Sequence, residues 1–69
     1  MNRARLRDNL LIASREMSQK ELADKLKITV RTVNGWMSGA KIPTLYGAYR
    51  FCKLVGITVE QLMDGVEDE

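Results

Sequence analysis

Residues 28–39 read Ile28-Thr29-Val30-Arg31-Thr32-Val33-Asn34-Gly35-Trp36-Met37-Ser38-Gly39. Three β-branched residues open the stretch and a glycine interrupts it, so local propensity favours a strand or a loop. Periodicity argues for a helix. At about 100° per residue, Val33 and Trp36 fall on one side, with Val30 and Met37 flanking them. Arg31, Asn34, Gly35 and Ser38 gather on the opposite side, and Thr32 lies beyond the other edge of the apolar stripe. Thr29 is placed to cap the start and Gly39 to end the last turn. The stretch therefore predicts a short helix that buries Val33 and Trp36 and displays a compact polar face.

The flanking sequence carries further helix-start signals. Ser18-Gln19-Lys20-Glu21 and Thr58-Val59-Glu60-Gln61 are capping boxes, and Thr44 is a third possible cap. Leu6, Leu10, Ala13 and Met17 repeat at helical spacing and predict a first helix of about 12–14 residues. Leu22, Ala23 and Leu26 mark a second helix. Ala40-Lys41-Ile42-Pro43 reads as a loop, because a residue before proline avoids the helical region. Leu45, Ala48, Cys52 and Val55 mark a fourth helix with Gly56 as its cap. Val59, Leu62 and Met63 mark a brief fifth helix ended by Gly65, leaving residues 66–69 as a frayed acidic tail or the start of a linker. No alternation long enough for a sheet is present. The expected architecture is all-α, five short helices in one domain over residues 1–65.

Composition narrows the function classes. The chain of 69 residues has no histidine and one cysteine, Cys52, so neither an internal disulfide nor a metal-ligand cluster is expected. No nucleophile–base pair is recognisable, which argues against an enzyme, and no cofactor is expected. No apolar run approaches the roughly 18 residues of a membrane span, the N-terminus lacks a signal-peptide core, and the lone thiol fits a cytoplasmic setting. Charge is divided along the chain. Residues 1–41 carry nine Lys/Arg against four acids, whereas residues 42–69 carry two against five. A polyanion would meet the N-terminal portion; a solvated surface with an acidic tail is the alternative.

The polar face of residues 29–38 suits duplex DNA. Arg31 has the reach and donors for guanine O6/N7, and Asn34 the paired donor and acceptor for adenine N6/N7. Val30 and the methyl of Thr32 are suited to a thymine methyl. Gly35 costs up to about 1 kcal/mol relative to alanine in a helix; either it allows close backbone approach to the groove or the position merely tolerates it. For Arg31 the alternative is a solvated charge or an intrachain ion pair, and for Asn34 a surface amide. Phosphate anchors are expected beside this face: Gln19 in the first turn of the second helix, where free N–H groups favour an anion, then Thr29, Ser38 and Lys41. Ser18 is explained by capping alone. Val59 and Met63 leave an apolar patch beside the last helix, a candidate dimer contact. Tyr46 and Tyr49 are the aromatics a protein partner would use, with at least one of them expected in the core or at a dimer contact.

The run Ser18-Gln19-Lys20-Glu21-Leu22-Ala23, followed by Ile28-Thr29, Val33, Trp36, Gly39 and Pro43, resembles the lambda-repressor/Cro-type helix–turn–helix family. Leu45, Ala48, Phe51-Cys52, Val55-Gly56-Ile57-Thr58 and Leu62 resemble the rest of that family's five-helix domain, so the resemblance covers residues 6–65. It implies a cytoplasmic, bacterial or phage-encoded transcriptional regulator, commonly a repressor. It also implies a homodimer on a palindromic double-stranded operator, with the third helix in the major groove. It would place Gln19, Thr29, Val30, Arg31, Thr32, Asn34, Gly35 and Ser38 at the DNA. An antitoxin-like helical module that binds a protein is the alternative. Three positions depart from the family pattern: Lys27 stands where glycine is usual, Met37 where an acid follows the tryptophan, and Glu16 where glycine is common. A left-handed Lys27 would carry strain on the order of 1 kcal/mol.

Overall fold

The computed structural model describes residues 1–67, which fold into five α-helices with no strand among them. The helices are α1 (Arg3–Ala13), α2 (Gln19–Leu26), α3 (Val30–Ser38), α4 (Leu45–Val55) and α5 (Val59–Leu62). No helix among the described residues is long and apolar enough to cross a membrane.

Each helix starts where a short polar side chain can accept from the backbone. Asn2, Ser18, Thr29, Thr44 and Thr58 all have extended backbone and accept from the N–H three residues on. Each such cap contributes about 1 kcal/mol relative to alanine. The Thr58 box is reciprocal, with Thr58 N–H donating to Gln61 Oε1 at 2.8 Å and Gln61 N–H to Thr58 Oγ1 at 3.0 Å. At Ser18 the bond is Glu21 N–H to Ser18 Oγ, 3.0 Å. The first helix stops at Ala13, short of the expected Met17, with Ser14 as its C-cap. Ser14 is buried, and its hydroxyl donates to Leu10 O at 2.8 Å.

The core is built from Leu6 and Leu10 of α1, Leu22, Ala23 and Leu26 of α2, Val33, Trp36 and Met37 of α3, and Phe51 and Cys52 of α4, closed by Leu62 and Val66. Helix α3 packs on α1 and α2, while α4 and α5 close the remaining sides. In a domain this small, removal of Trp36 or Phe51 would cost about 3–5 kcal/mol, comparable with its whole stability.

Two expectations are corrected by the packing, and a third is narrowed. Val66 is fully buried rather than frayed: its carbonyl accepts from Asn2 N–H at 2.7 Å, and Asn9 Nδ2 donates to Leu62 O and Asp64 O nearby. The ordered domain therefore extends past residue 65, while Asp68 and Glu69 lie outside the described residues. Leu45, expected to face the core from α4, is 82% exposed: it is the first residue of the helix, and the core contacts of α4 begin a turn later, at Ala48, Phe51 and Cys52. Of the two places expected for Tyr46 or Tyr49, the core or a dimer contact, the core is excluded, because both are exposed.

Candidate nucleic-acid interface

The link between α2 and α3 decides how α3 is displayed. Lys27 closes α2 in left-handed conformation, φ 60°, and is the only non-glycine residue with positive φ among the described residues. Its N–H donates to Asp24 O at 3.3 Å and the Ile28 N–H to Ala23 O at 3.0 Å, the paired bonds of a Schellman end. The chain turns at once into Thr29, whose hydroxyl accepts from Thr32 N–H at 3.1 Å. Two helices are thereby joined by three residues, with Ile28 packed against the core. Lys27 occupies the strained geometry that glycine takes more readily.

Apart from Gly35, helix α3 divides as the sequence predicts. Val33, Trp36 and Met37 are buried, whereas Val30, Arg31, Asn34 and Ser38 are exposed. Arg31 has no ion-pair partner among the described residues. Asn34 Nδ2 donates to Gln19 Oε1 at 3.4 Å, which joins the expected base-reading residue to the expected phosphate anchor. Val30 is 46% exposed beside Ile28 and Ala23. Thr32 is half-buried, and its hydroxyl lies 3.0 Å from Thr29 Oγ1, so these two hydroxyls partly satisfy each other.

Gly35 departs from the open face expected for it. It is buried, and the aliphatic stem of Lys41 covers it. The Lys41 N–H donates to Gly35 O at 3.0 Å, and Ser38 Oγ donates to the same carbonyl at 3.3 Å while accepting from Ala40 N–H at 3.4 Å. Ser38 is thus partly committed to the helix end. Lys41 itself is exposed.

One participant was not visible from sequence. The Arg3 guanidinium donates to Gly39 O and Ala40 O, both at 3.1 Å, and fixes the end of α3 from the start of α1. Residues 36 and 37 positions apart meet here, and no local pattern signals such a contact.

The electrostatics separate structural from free cations. Arg5 pairs with Asp64 at 3.3 Å and Arg7 with Asp8 at 3.0 Å. Lys20, Lys25, Lys27, Arg31 and Lys41, which surround α2 and α3, form no ion pair among the described residues. An exposed helix carrying hydrogen-bonding side chains, flanked by free cations, is chemically suited to a polyanion with a groove as wide as a helix.

Away from α3, two other surfaces stand out. Tyr46 and Tyr49 are exposed on α4 with Arg50 Cζ 5.7 Å and Lys53 Nζ 5.6 Å from their ring centroids. Val59 and Met63, the expected dimer contact, are both half-buried. They line an apolar groove of about 370 Å³ with Met1, Ile42 and Leu45.

Comparison with known proteins agrees with this geometry. Residues 9–62 match a family model described as helix-turn-helix, HTH_3. Neither the curated proteins nor the solved structures gave a match.

Proposed function

Starting from the fact that the chain belongs to the helix-turn-helix family HTH_3, whose domain implies DNA binding, we propose that it is a transcriptional repressor that inserts α3 into the major groove of duplex DNA. A DNA-binding domain of this kind, on its own, is a non-enzymatic regulator. The observation that carries the finer reading is the division of α3: Val33 and Trp36 anchor it while Arg31 and Asn34 stand exposed beside free cations. Arg31, Asn34, Val30 and Thr32 are the base-edge residues of this proposal, with Gly35 lying in the backbone beneath them. Gln19, Thr29, Ser38 and Lys41 contact phosphate. A cytoplasmic location follows from that partner.

Selection of bound sequences from a random duplex pool, followed by gel shifts, tests the reading. Arg31→Ala and Asn34→Ala are expected to weaken the selected site by about 1–3 kcal/mol each while leaving non-specific binding nearly unchanged. Failure to enrich any sequence at low salt would refute it.

The protein also pairs, in this proposal, through the groove beside α5. Val59, Met63 and the exposed Leu45 supply apolar surface there, and a single domain on one half-site gains affinity from a second copy. The corresponding operator is palindromic. Sedimentation showing one chain per palindromic site would remove pairing without touching the DNA reading. A second reading, an antitoxin-like module for a protein partner, is favoured by exposed Tyr46 and Tyr49. It predicts that replacing both by alanine leaves DNA affinity intact and abolishes capture of that partner.

A further inference from the structure

Gly35 and Lys41 are fitted to each other. The peptide of Lys41 is fixed over α3 by its N–H bond to Gly35 O, 3.0 Å. The side chain then runs across the position where any other residue would carry a Cβ. Such a Cβ would lie 2.9 Å from Lys41 Cδ, 3.0 Å from Cγ and 3.3 Å from Cβ. These are the stem atoms of the lysine, not its mobile end, and the two nearest distances are too short for carbon–carbon contact. A helix-interior glycine carries a propensity penalty, and here φ is not positive, so no backbone conformation demands it. What favours it is the lysine stem in the position it takes here.

We propose that Gly35 is a positioning residue, a seat that directs the Lys41 ammonium to a DNA phosphate at the C-terminal end of α3. The proposal rests on the DNA-binding reading given above. The stem packs on the bare helix surface that Gly35 leaves, and this contact favours the rotamers that run along the helix before DNA arrives. Less side-chain freedom is then lost on binding. The Arg3 bonds to Gly39 O and Ala40 O hold the same loop from its other side, at 3.1 Å each. The glycine therefore acts through Lys41 and reads no base.

The test is a double-mutant cycle of Gly35→Ala and Lys41→Ala, read both without DNA and on it. Without DNA, Gly35→Ala in the Lys41→Ala background should raise Tm by several degrees, the usual effect of removing an interior helix glycine. In the wild-type background the same change should raise Tm less, or lower it. On DNA, Lys41→Ala should lower the slope of log K against log salt by about 0.9, the value for one phosphate contact. Gly35→Ala alone should lower it by a similar amount, and the double variant no further. Equal rises in Tm in both backgrounds would refute the seat. A normal salt slope for Lys41→Ala would show that the phosphate contact itself is absent, and the proposal would fall with it. A lowered slope for Lys41→Ala but not for Gly35→Ala would refute the seat alone.

Discussion

The Asn34 amide donates to Oε1 of Gln19 across 3.4 Å, and this contact links the first turn of α2 to the exposed face of α3. Both side chains retain a further polar group, the Gln19 amide nitrogen and the Asn34 carbonyl oxygen. A single weak bond between surface amides contributes little to folding, since the two sites remain close to water. Its consequence is orientation. Asn34 is held with its donor turned to Gln19, and a base edge meeting Asn34 meets a pre-set side chain.

Gln19→Ala should therefore separate stability from recognition. Stability in urea is expected to change by no more than about 0.5 kcal/mol. Affinity for the selected site should fall by about 1 kcal/mol, near fivefold, with part of the loss appearing as relaxed preference at the base pair read by Asn34. Titrations on a site and on its single-base variants measure both quantities. An unchanged preference at every position would mean that the Gln19–Asn34 contact has no part in recognition.

Arg3 and Arg31 are both exposed, yet they should behave in opposite ways. Arg3 has two carbonyl partners at the end of α3, whereas Arg31 has no ion-pair partner among the described residues. Arg3→Ala is expected to cost about 0.5–1.5 kcal/mol of folding stability, the net range for one typical hydrogen bond, since both of its bonds are exposed to water. Arg31→Ala should leave folding within about 0.5 kcal/mol. Urea melts of the two variants side by side decide this. If Arg31→Ala is the more destabilising, the division between structural and DNA-facing arginines is wrong.

Much of this arrangement is local and so could be read from sequence. Thr29, Thr44 and Thr58 announce their helices because a cap needs only a hydroxyl three residues before an N–H. Val33 and Trp36 are found by spacing alone. What escaped was set by where separate segments meet. Leu45 has helical spacing with Ala48, Cys52 and Val55, which do meet the core, but it is the first residue of α4 and lies past the end of the packed stripe. Val66 looks like part of an acidic tail until the Asn2 and Asn9 bonds fold it back under α1. Gly35 was legible as an anomaly. Its cause depends on the path of the chain after Gly39, which no periodicity specifies.

Lys27 supplies a stability prediction independent of DNA. Its φ of 60° places an L-residue in the left-handed region, at a cost of roughly 1–2 kcal/mol. Glycine relieves that cost but loses about 0.5–1 kcal/mol through greater freedom in the unfolded chain. Lys27→Gly should thus stabilise the domain by up to about 1 kcal/mol, and Lys27→Val should destabilise it by more than that, since β-branching disfavours this geometry. Denaturant midpoints at constant m-value report the change. Greater stability of the valine variant would overturn the account of this turn.

Cys52 gives the pH dependence. Its side chain is 2% exposed in the core, and burial raises the thiol pKa above its ordinary value of 9.0. Between that value and the higher folded one, the unfolded chain releases the proton while the folded chain keeps it. Folding stability then falls as pH rises, by at most about 1.4 kcal/mol per pH unit from this group. The slope fades over the pH unit below 9, and at neutral pH the thiol is protonated in both states and contributes none. Lysines and tyrosines also titrate in alkali, so the comparison must be with Cys52→Ala. That variant loses some packing at every pH, but its deficit relative to wild type should shrink as pH rises from 9 to 10. The native thiol should also resist alkylation at neutral pH and react once urea unfolds the chain, because only the thiolate attacks. Rapid alkylation of the folded protein, or a deficit independent of pH, would show that the Cys52 site is open to water.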